Sequence, residues 1–364
     1  MNALRLAQSH GLAFAAGIAL LATTAPAFAQ TEVLKEEDTK TKALTKTSTT
    51  VPDGWKVAAK LGLSANLMTT NANAASAGAG QEGTSFQFGI LLGADANLKV
   101  GQHGWENKLA FQHGQTKTPN VANFIKSVDN LELISTYFYR FQNPEWLGPF
   151  ARARLQTQMF KGYVVRDTAV QVFRTDREGN TIGPVTRTAQ AKIPLTNSFE
   201  PLVLRQSAGM FGRPWQGDDF KLDGKVGLGL QEILVGDAFV VDSEADGVLN
   251  LKQLENSVNA GAELELNLQG VLVKDILSWK ASANFFLPVL TNAEVAVDAA
   301  DPAAGTKKAN GFDYLNTDIQ AGLSLKVAKG LSVDYQLLLR KVPLVVDGFQ
   351  VQHGLVFSVG IDVL

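Results

Sequence analysis

Reactive side chains are few and widely separated in this chain. It has four histidines, His10, His103, His113 and His353, and no cysteine. A nucleophilic set needs Ser or Cys beside a His that a carboxylate or amide orients. His10 falls in an N-terminal leader, His103 in a short turn, and His113 and His353 near the ends of segments that stand apart. No dyad can be shared, so no enzyme is expected. Zinc is not expected either, because Cys is absent and no His-x-x-x-His spacing occurs. Asp242-Ser243-Glu244-Ala245-Asp246-Gly247 begins like a calcium loop, but Gln253 stands where the bidentate Glu should be, so a solvated acidic loop is expected. No glycine loop that could cradle phosphates precedes a helix. No metal and no cofactor is expected.

A different chemistry is written in charges that recur at every second position. Arg152, Arg154, Gln156 and Gln158 share one parity, with Ala151, Ala153 and Leu155 on the other. Glu263 and Glu265 alternate with Ala262, Leu264 and Leu266 in the same way. Period two belongs to a β-strand with one polar and one apolar face. Extended to its neighbours, the polar face gathers a basic set, Arg140, Arg152, Arg154, Arg205 and Arg213, and an acidic set, Glu255, Glu263 and Glu265. Two outcomes fit such a face. One is an aqueous bore with basic and acidic sectors that orient small charged solutes. The other is a wall of paired charges that closes the bore.

The elements that would carry these charges are long. Phe86, Phe88, Ile90, Leu92, Ala94, Ala96 and Leu98 alternate with polar or small residues, with Leu91 the exception. Such runs exceed an ordinary globular strand and match the roughly 9–11 residues that cross a bilayer when tilted. Twelve segments are read, starting near Trp55, Thr84, Trp105, Ser127, Gly148, Phe199, Phe220, Leu254, Ile276, Phe312, Leu331 and Gln350. Short connections alternate with long ones, apart from a short last hairpin through Val346–Phe349. Trp55, Trp105, Trp146, Trp215 and Trp279 all fall at the short-connection end, with Tyr137, Tyr139 and Phe141, while Phe312 and Tyr314 lie near the other rim. An indole suits the headgroup layer, where one edge is wet and the ring is not. The expected fold is therefore all-β: a transmembrane up-and-down antiparallel barrel of about twelve strands. Short turns would be periplasmic and long loops extracellular. The longest loop, Val164–Ser198, reads as a hairpin turning at Gly179-Asn180, expected to project into solvent.

The first residues fit an export signal: Arg5, an apolar stretch from Leu12 to Ala22, and Ala27-Phe28-Ala29 before a mature start at Gln30. Residues 1–29 are thus read as signal peptide, 30–54 as a periplasmic tail and 55–364 as the barrel. A net charge of −2 argues against nucleic acid as a partner. The expected location is the outer membrane of a Gram-negative bacterium. The expected partners are outer-membrane lipid, the barrel assembly machinery and small solutes. Leu364 takes the final position, where barrels usually place an aromatic.

Trp105-Glu106-Asn107-Lys108-Leu109, Gly114 and Lys126-Ser127-Val128-Asp129-Asn130-Leu131-Glu132-Leu133 resemble an uncharacterised family of exported barrels of the Bacteroidota type. The resemblance implies an outer-membrane barrel and no known activity. The family's Trp-Ala-Ala-Gly-Gly-like segment has no counterpart in the first strand. The function expected is a narrow channel for passive passage of small hydrophilic solutes, or a closed barrel that binds partners through its loops.

Overall fold

The computed structural model describes residues 53–70, 83–117, 121–291, 295–296, 306–307, 315–328, 331–342 and 346–362. The expected leader and most of the tail, Phe312 and Tyr314 lie outside the described residues. Every regular element described is a strand. Twelve long strands form the wall: β1 (Gly54–Thr70), β2 (Gly83–Val100), β3 (His103–Lys117), β4 (Ile125–Tyr139), β5 (Leu147–Thr157), β10 (Leu202–Gln216), β11 (Phe220–Leu234), β14 (Ser257–Val273), β15 (Leu277–Thr291), β18 (Asn316–Ala328), β19 (Leu331–Val342) and β20 (Val346–Asp362). Eight short strands lie in the long connections: β6 (Gly162–Val165), β7 (Val170–Thr175), β8 (Thr181–Arg187), β9 (Lys192–Thr196), β12 (Phe239–Ala245), β13 (Val248–Gln253), β16 (Val295–Ala296) and β17 (Thr306–Lys307).

The twelve wall strands pair antiparallel in chain order, and β1 with β20 closes the ring through Lys60↔Asp362 to Ala65↔Phe357. Closure joins the first strand to the last, so the sheet has no free outer strand, which an apolar medium demands. The expected segment starts agree with the observed ones to within four residues. Short and long connections alternate as expected, except that 118–124 and 140–146, on either side of β4, are equal in length.

Register settles which side each residue takes. Leu61, Leu63, Phe86, Phe88, Ile90, Leu92, Val226, Leu228, Leu264, Leu323, Leu325 and Phe357 are exposed on the outer face. Leu228 reaches 74% and Leu290 70% exposure, values no water-bathed core strand would hold. Trp55, Leu98, Trp105 and Tyr137 occupy one register row at the short-turn end, with the two indole centroids 6.0 Å apart. Trp146, Trp215 and Trp279 sit at that same end, beside the turns after β4, β10 and β14. From Trp105 the third strand climbs eight residues to His113, roughly 20 Å at 3.3 Å per residue and a 40° tilt, close to the apolar band of an outer-membrane barrel. Polar groups on the outer face near the girdle satisfy one another. Trp105 Nε1 donates to Ser135 Oγ (2.8 Å), Ser135 to Asn107 Oδ1 (2.8 Å), and Asn107 Nδ2 to the Ala96 carbonyl (3.1 Å).

The two longest connections do not stay apart. β7 and β8 form the expected hairpin, closed by Thr175↔Thr181 over a five-residue turn, 176–180. β7 then pairs in parallel with β13, giving a four-stranded sheet β12-β13-β7-β8. Val170, Val172, Ile193, Val241, Leu249 and Leu251 bury a small core beneath it. The expected solvated hairpin is therefore one half of a cap shared by two loops. The acidic stretch at Asp242–Gly247 is also corrected: Asp246 (φ 50°) and Gly247 (φ 76°) form the two-residue turn of the β12–β13 hairpin. Both φ values are positive, the geometry that favours Asp-Gly.

Candidate functional site: the charged bore

The inward parity of β3 to β15 carries large charged and aromatic side chains, in three bands. Nearest the short turns, Phe138, Phe150 and Phe211 form a buried cluster inside the barrel. Gly148 lies beside it, where a Cβ would stand 1.8 Å from the Tyr139 carbonyl oxygen and 3.1 Å from the Phe211 ring. β10 bulges between Gly212 and Trp215, and Arg213 lies within the bulge. A bulge re-aims side chains. Here Arg213 donates to Glu106 (3.0 Å) and Asp223 (2.9 Å), with its guanidinium 4.8 Å from the Phe138 ring centroid and 5.6 Å from that of Phe211. Arg140 is next to it, its guanidinium lying over Gly104.

The middle band crosses between strands that are not neighbours. Arg152 donates to Glu263 (2.5 Å), to Glu265, and to Ser207 Oγ (3.3 Å). Its register row continues through Ser207, Gly229 and Gly261 on β10, β11 and β14. These small residues let the guanidinium lie along the wall and reach carboxylates three strands away. Lys225 (2.5 Å) and Asn267 (2.7 Å) also donate to Glu265, so this carboxylate is held from three sides. Charge-assisted contacts of this kind are the strong ones.

In the third band Arg154 pairs with Glu132. Its cross-strand neighbour Arg205 donates to Gln231 (3.2 Å from Nε), lies 3.9 Å from Glu263, and stacks 5.0 Å over Phe286. The structure thus brings together Arg152, Arg154, Arg205, Glu263 and Glu265, with Arg140 and Arg213 below them. Glu255 is a correction. It lies exposed in the connection before β14, which starts only at Ser257, so it does not line the bore. Sequence reasoning missed the aromatic cluster and the contribution of Glu106 and Gln231 to the pairing, whereas the parity of Asp223 already placed it inside. The inward parity of Phe138 and Phe211 was the available signal.

The other half of the bore mixes small residues with fewer charges: Asp318 accepts from Gln320 (2.9 Å) and the buried Asp334 from Ser332 (2.9 Å). Ser332, Ser358, Ser64, Gly89 and Gly114 form one register row over β19, β20, β1, β2 and β3. Gly360↔Gly62 and the inward Gly93, Gly322 and Gly354 add further small residues. Leu91 faces this side and is buried.

Above the wall, Asp129 fixes the root of the cap. Its carboxylate accepts the backbone N–H of Met159 (3.0 Å) and of Phe160 (2.7 Å) and pairs with Lys126 (2.9 Å). Arg166 grips both oxygens of Glu244 at 2.6 Å, and Arg177 donates to the carbonyls of Leu254 (2.9 Å), Val235 (2.9 Å) and Gly236. Among the described residues, no three His, Asp or Glu side chains could hold a metal ion together. His103 bonds Tyr137 (2.5 Å), and His113 meets the Phe160 ring.

Residues 76–163 match the family described as "Protein of unknown function (DUF3078)". The match includes the residues at 105–109 and 126–133 that carried the resemblance, and is less than half of the chain. No curated protein matches. Among solved structures, an outer-membrane channel from Pseudomonas putida F1 is 11% identical, with 85% of this chain and 97% of that chain covered and a TM-score of 0.39. The translocator domain of the autotransporter NalP from Neisseria meningitidis is 12% identical, with coverages of 89% and 93% and a TM-score of 0.34. The β domain of the Bordetella autotransporter BrkA is 10% identical, with coverages of 84% and 98% and a TM-score of 0.34.

Proposed function

We propose that this chain is an outer-membrane barrel of a Gram-negative bacterium, of the Bacteroidota type that the resemblance implies. Its function would be to pass small hydrophilic solutes passively along one side of its bore. The observation that carries this reading is the asymmetry of the bore. Ion pairs and aromatic rings crowd the sector from β3 to β15, whereas the sector from β18 through β1 to β2 sets Ser and Gly between more scattered polar groups such as Asp95, Asp318 and Asp334. Twelve strands enclose more space than eight, which side chains fill, and less than sixteen, which leave an open channel. A bore filled on one side keeps a narrow path on the other, walled by hydroxyls, glycines and the charged edge of the network. Lipid would coat the belt, the barrel assembly machinery would deliver the chain, and no catalytic role belongs to this reading.

Reconstitution in planar bilayers tests it. Single-channel steps are expected, and Arg152→Ala combined with Arg154→Ala should change the anion-to-cation permeability ratio. Folded protein that never conducts would sink the proposal. A second reading rests on the cap. A sheet with its own core, assembled from two loops, is a stable platform for a partner at the cell surface. Removing Ala169–Ala189 would then abolish partner capture while the wall stays folded.

A further inference from the structure

The face of the cap sheet that turns away from its small core is polar, firmly backed and almost without charge. Val172, Leu249 and Val241 belong to the core, so Phe173, its register partner Asn250 and, beyond that, Ser243 share the opposite face on β7, β13 and β12. Phe173 is half-buried. Gly183 lies beside it on β8, where a Cβ would stand 2.7 Å from the Val172 carbonyl oxygen and 3.3 Å from the Phe173 ring. On one side of the ring stand Gln171 and its β8 partner Thr186, both exposed; on the other stand Thr175 and Thr181. Asn250 Nδ2 donates to Ser243 Oγ (2.8 Å), and the Thr175 and Thr181 hydroxyls share a hydrogen bond of 2.9 Å. These bonds orient the side chains yet use only part of their capacity. A side-chain amide offers two N–H donors and a carbonyl, and a hydroxyl both donates and accepts. Among the residues paired on this face only Lys252, at one corner, is charged.

A half-open aromatic ring fringed by neutral amides and hydroxyls matches one kind of ligand. The electron-rich face of the ring suits the C–H side of a sugar, and the fringe suits its hydroxyls. Three strand spacings by four residues make the patch about 14 by 13 Å. That is roughly a quarter of the area, about 800 Å², that each partner gives to a stable protein complex, so a small ligand fits the face better than a protein does. The β8 edge is also a poor template for an added strand, because Pro184 lacks an N–H. We propose that this face of the cap binds a neutral saccharide at the long-loop end of the barrel. Phe173 is the stacking platform, and Gln171, Asn250 and the threonines are its hydrogen-bonding rim. The proposal deepens the second reading above, in which the cap holds a partner, and rests on it. The core beneath keeps the sheet in place, so these groups need little ordering when the sugar binds.

The test uses the full barrel, folded in a detergent without a sugar headgroup. It is passed over immobilised oligosaccharides of glucose, mannose, galactose and N-acetylglucosamine, with sulfated dextran as the charged control. Retention on at least one neutral oligosaccharide is expected, with release by the same sugar free in solution. Phe173→Ala should weaken it about tenfold, the order of one aromatic contact. Gln171→Ala, at an exposed position outside the core, should weaken it with the fold intact. Ile182→Ser, on the other face of β8, should leave it unchanged. No retention on any neutral sugar would overturn the proposal. So would retention indifferent to both Phe173→Ala and Gln171→Ala, or capture by sulfated dextran alone. The two readings separate cleanly. Partner capture that is lost with Ala169–Ala189 yet indifferent to Phe173→Ala keeps the cap reading and rejects the saccharide face, whereas capture that survives that deletion rejects the cap reading itself.

Discussion

Arg152 of β5 and Glu265 of β14 meet inside the barrel although β10 and β11 stand between their strands. The contact is a chord across the bore, and it depends on Ser207, Gly229 and Gly261 having little or no side chain beneath it. Both partners are about nine-tenths buried. Removing Glu265 leaves Arg152 with Glu263 alone and takes away the carboxylate that Lys225 donates to, and breaking a buried pair costs about 3–5 kcal/mol. Glu265→Ala should therefore lower the urea midpoint of the micelle-bound barrel by an amount worth about 3 kcal/mol. Adding Arg152→Met should recover part of that loss. A double mutant no more stable than Glu265→Ala alone would show that the pair is not coupled.

Asp129 predicts a local effect. Its carboxylate replaces the sheet partner that β5 ceases to provide after Thr157, by accepting the Met159 and Phe160 amides. Hydrogen bonds to a charged group contribute about 1.5–3 kcal/mol. Asp129→Ala should free the root of the cap, so that protease cuts between Lys161 and Lys192 appear while the wall stays resistant. A cleavage pattern like that of the parent would rule out this anchoring role.

Leu249 separates cap from wall. It is fully buried in the small core with Val170, Val172 and Val241. Truncating a buried Leu to Ala costs about 2–5 kcal/mol, which a core this small cannot absorb. Leu249→Ala should raise hydrogen exchange across β7, β8, β12 and β13 together, and leave β1, β2 and the other wall strands protected.

The cap also responds to pH at one turn. Asp176 accepts hydrogen bonds from the Asn180 side chain (2.9 Å) and backbone N–H (2.7 Å), which hold its carboxyl below the usual Asp value. A depressed folded value stabilises the turn fully above the unfolded pKa near 3.9. That stabilisation fades as pH falls through the folded value. Amide exchange at Asn180 should therefore speed up in acid relative to Thr175, and Asp176→Asn should flatten that difference. A pH-independent ratio in the parent chain would contradict the assignment.

Much of the wall was legible because its signals are local. Alternation at Phe86–Leu98 and Val258–Leu268 sets the strand faces, and Trp55, Trp105, Trp146, Trp215 and Trp279 mark one end. Parity alone placed Arg152, Arg154, Arg205, Glu263 and Glu265 inside. What escaped was non-local. The parallel pairing of β7 with β13 joins segments whose periodicity says nothing about each other, and the inward glycines matter only once Arg152 is seen lying over them. Glu255 failed for a simpler reason: parity was carried past the end of its strand. Asp246-Gly247 could have been read correctly, since Asp-Gly between apolar runs is a hairpin signal.

The parallel seam between β7 and β13 also constrains biogenesis. β7 emerges after β5, but its partner follows only after the chain has returned through β10 and come back through β11. Until then Val170 and Val172 have no Leu249 or Leu251 to cover them, and the cap stays greasy and half-built. Its completion is thus a late event, reporting that the hairpin of β10 and β11 has been delivered to its proper side.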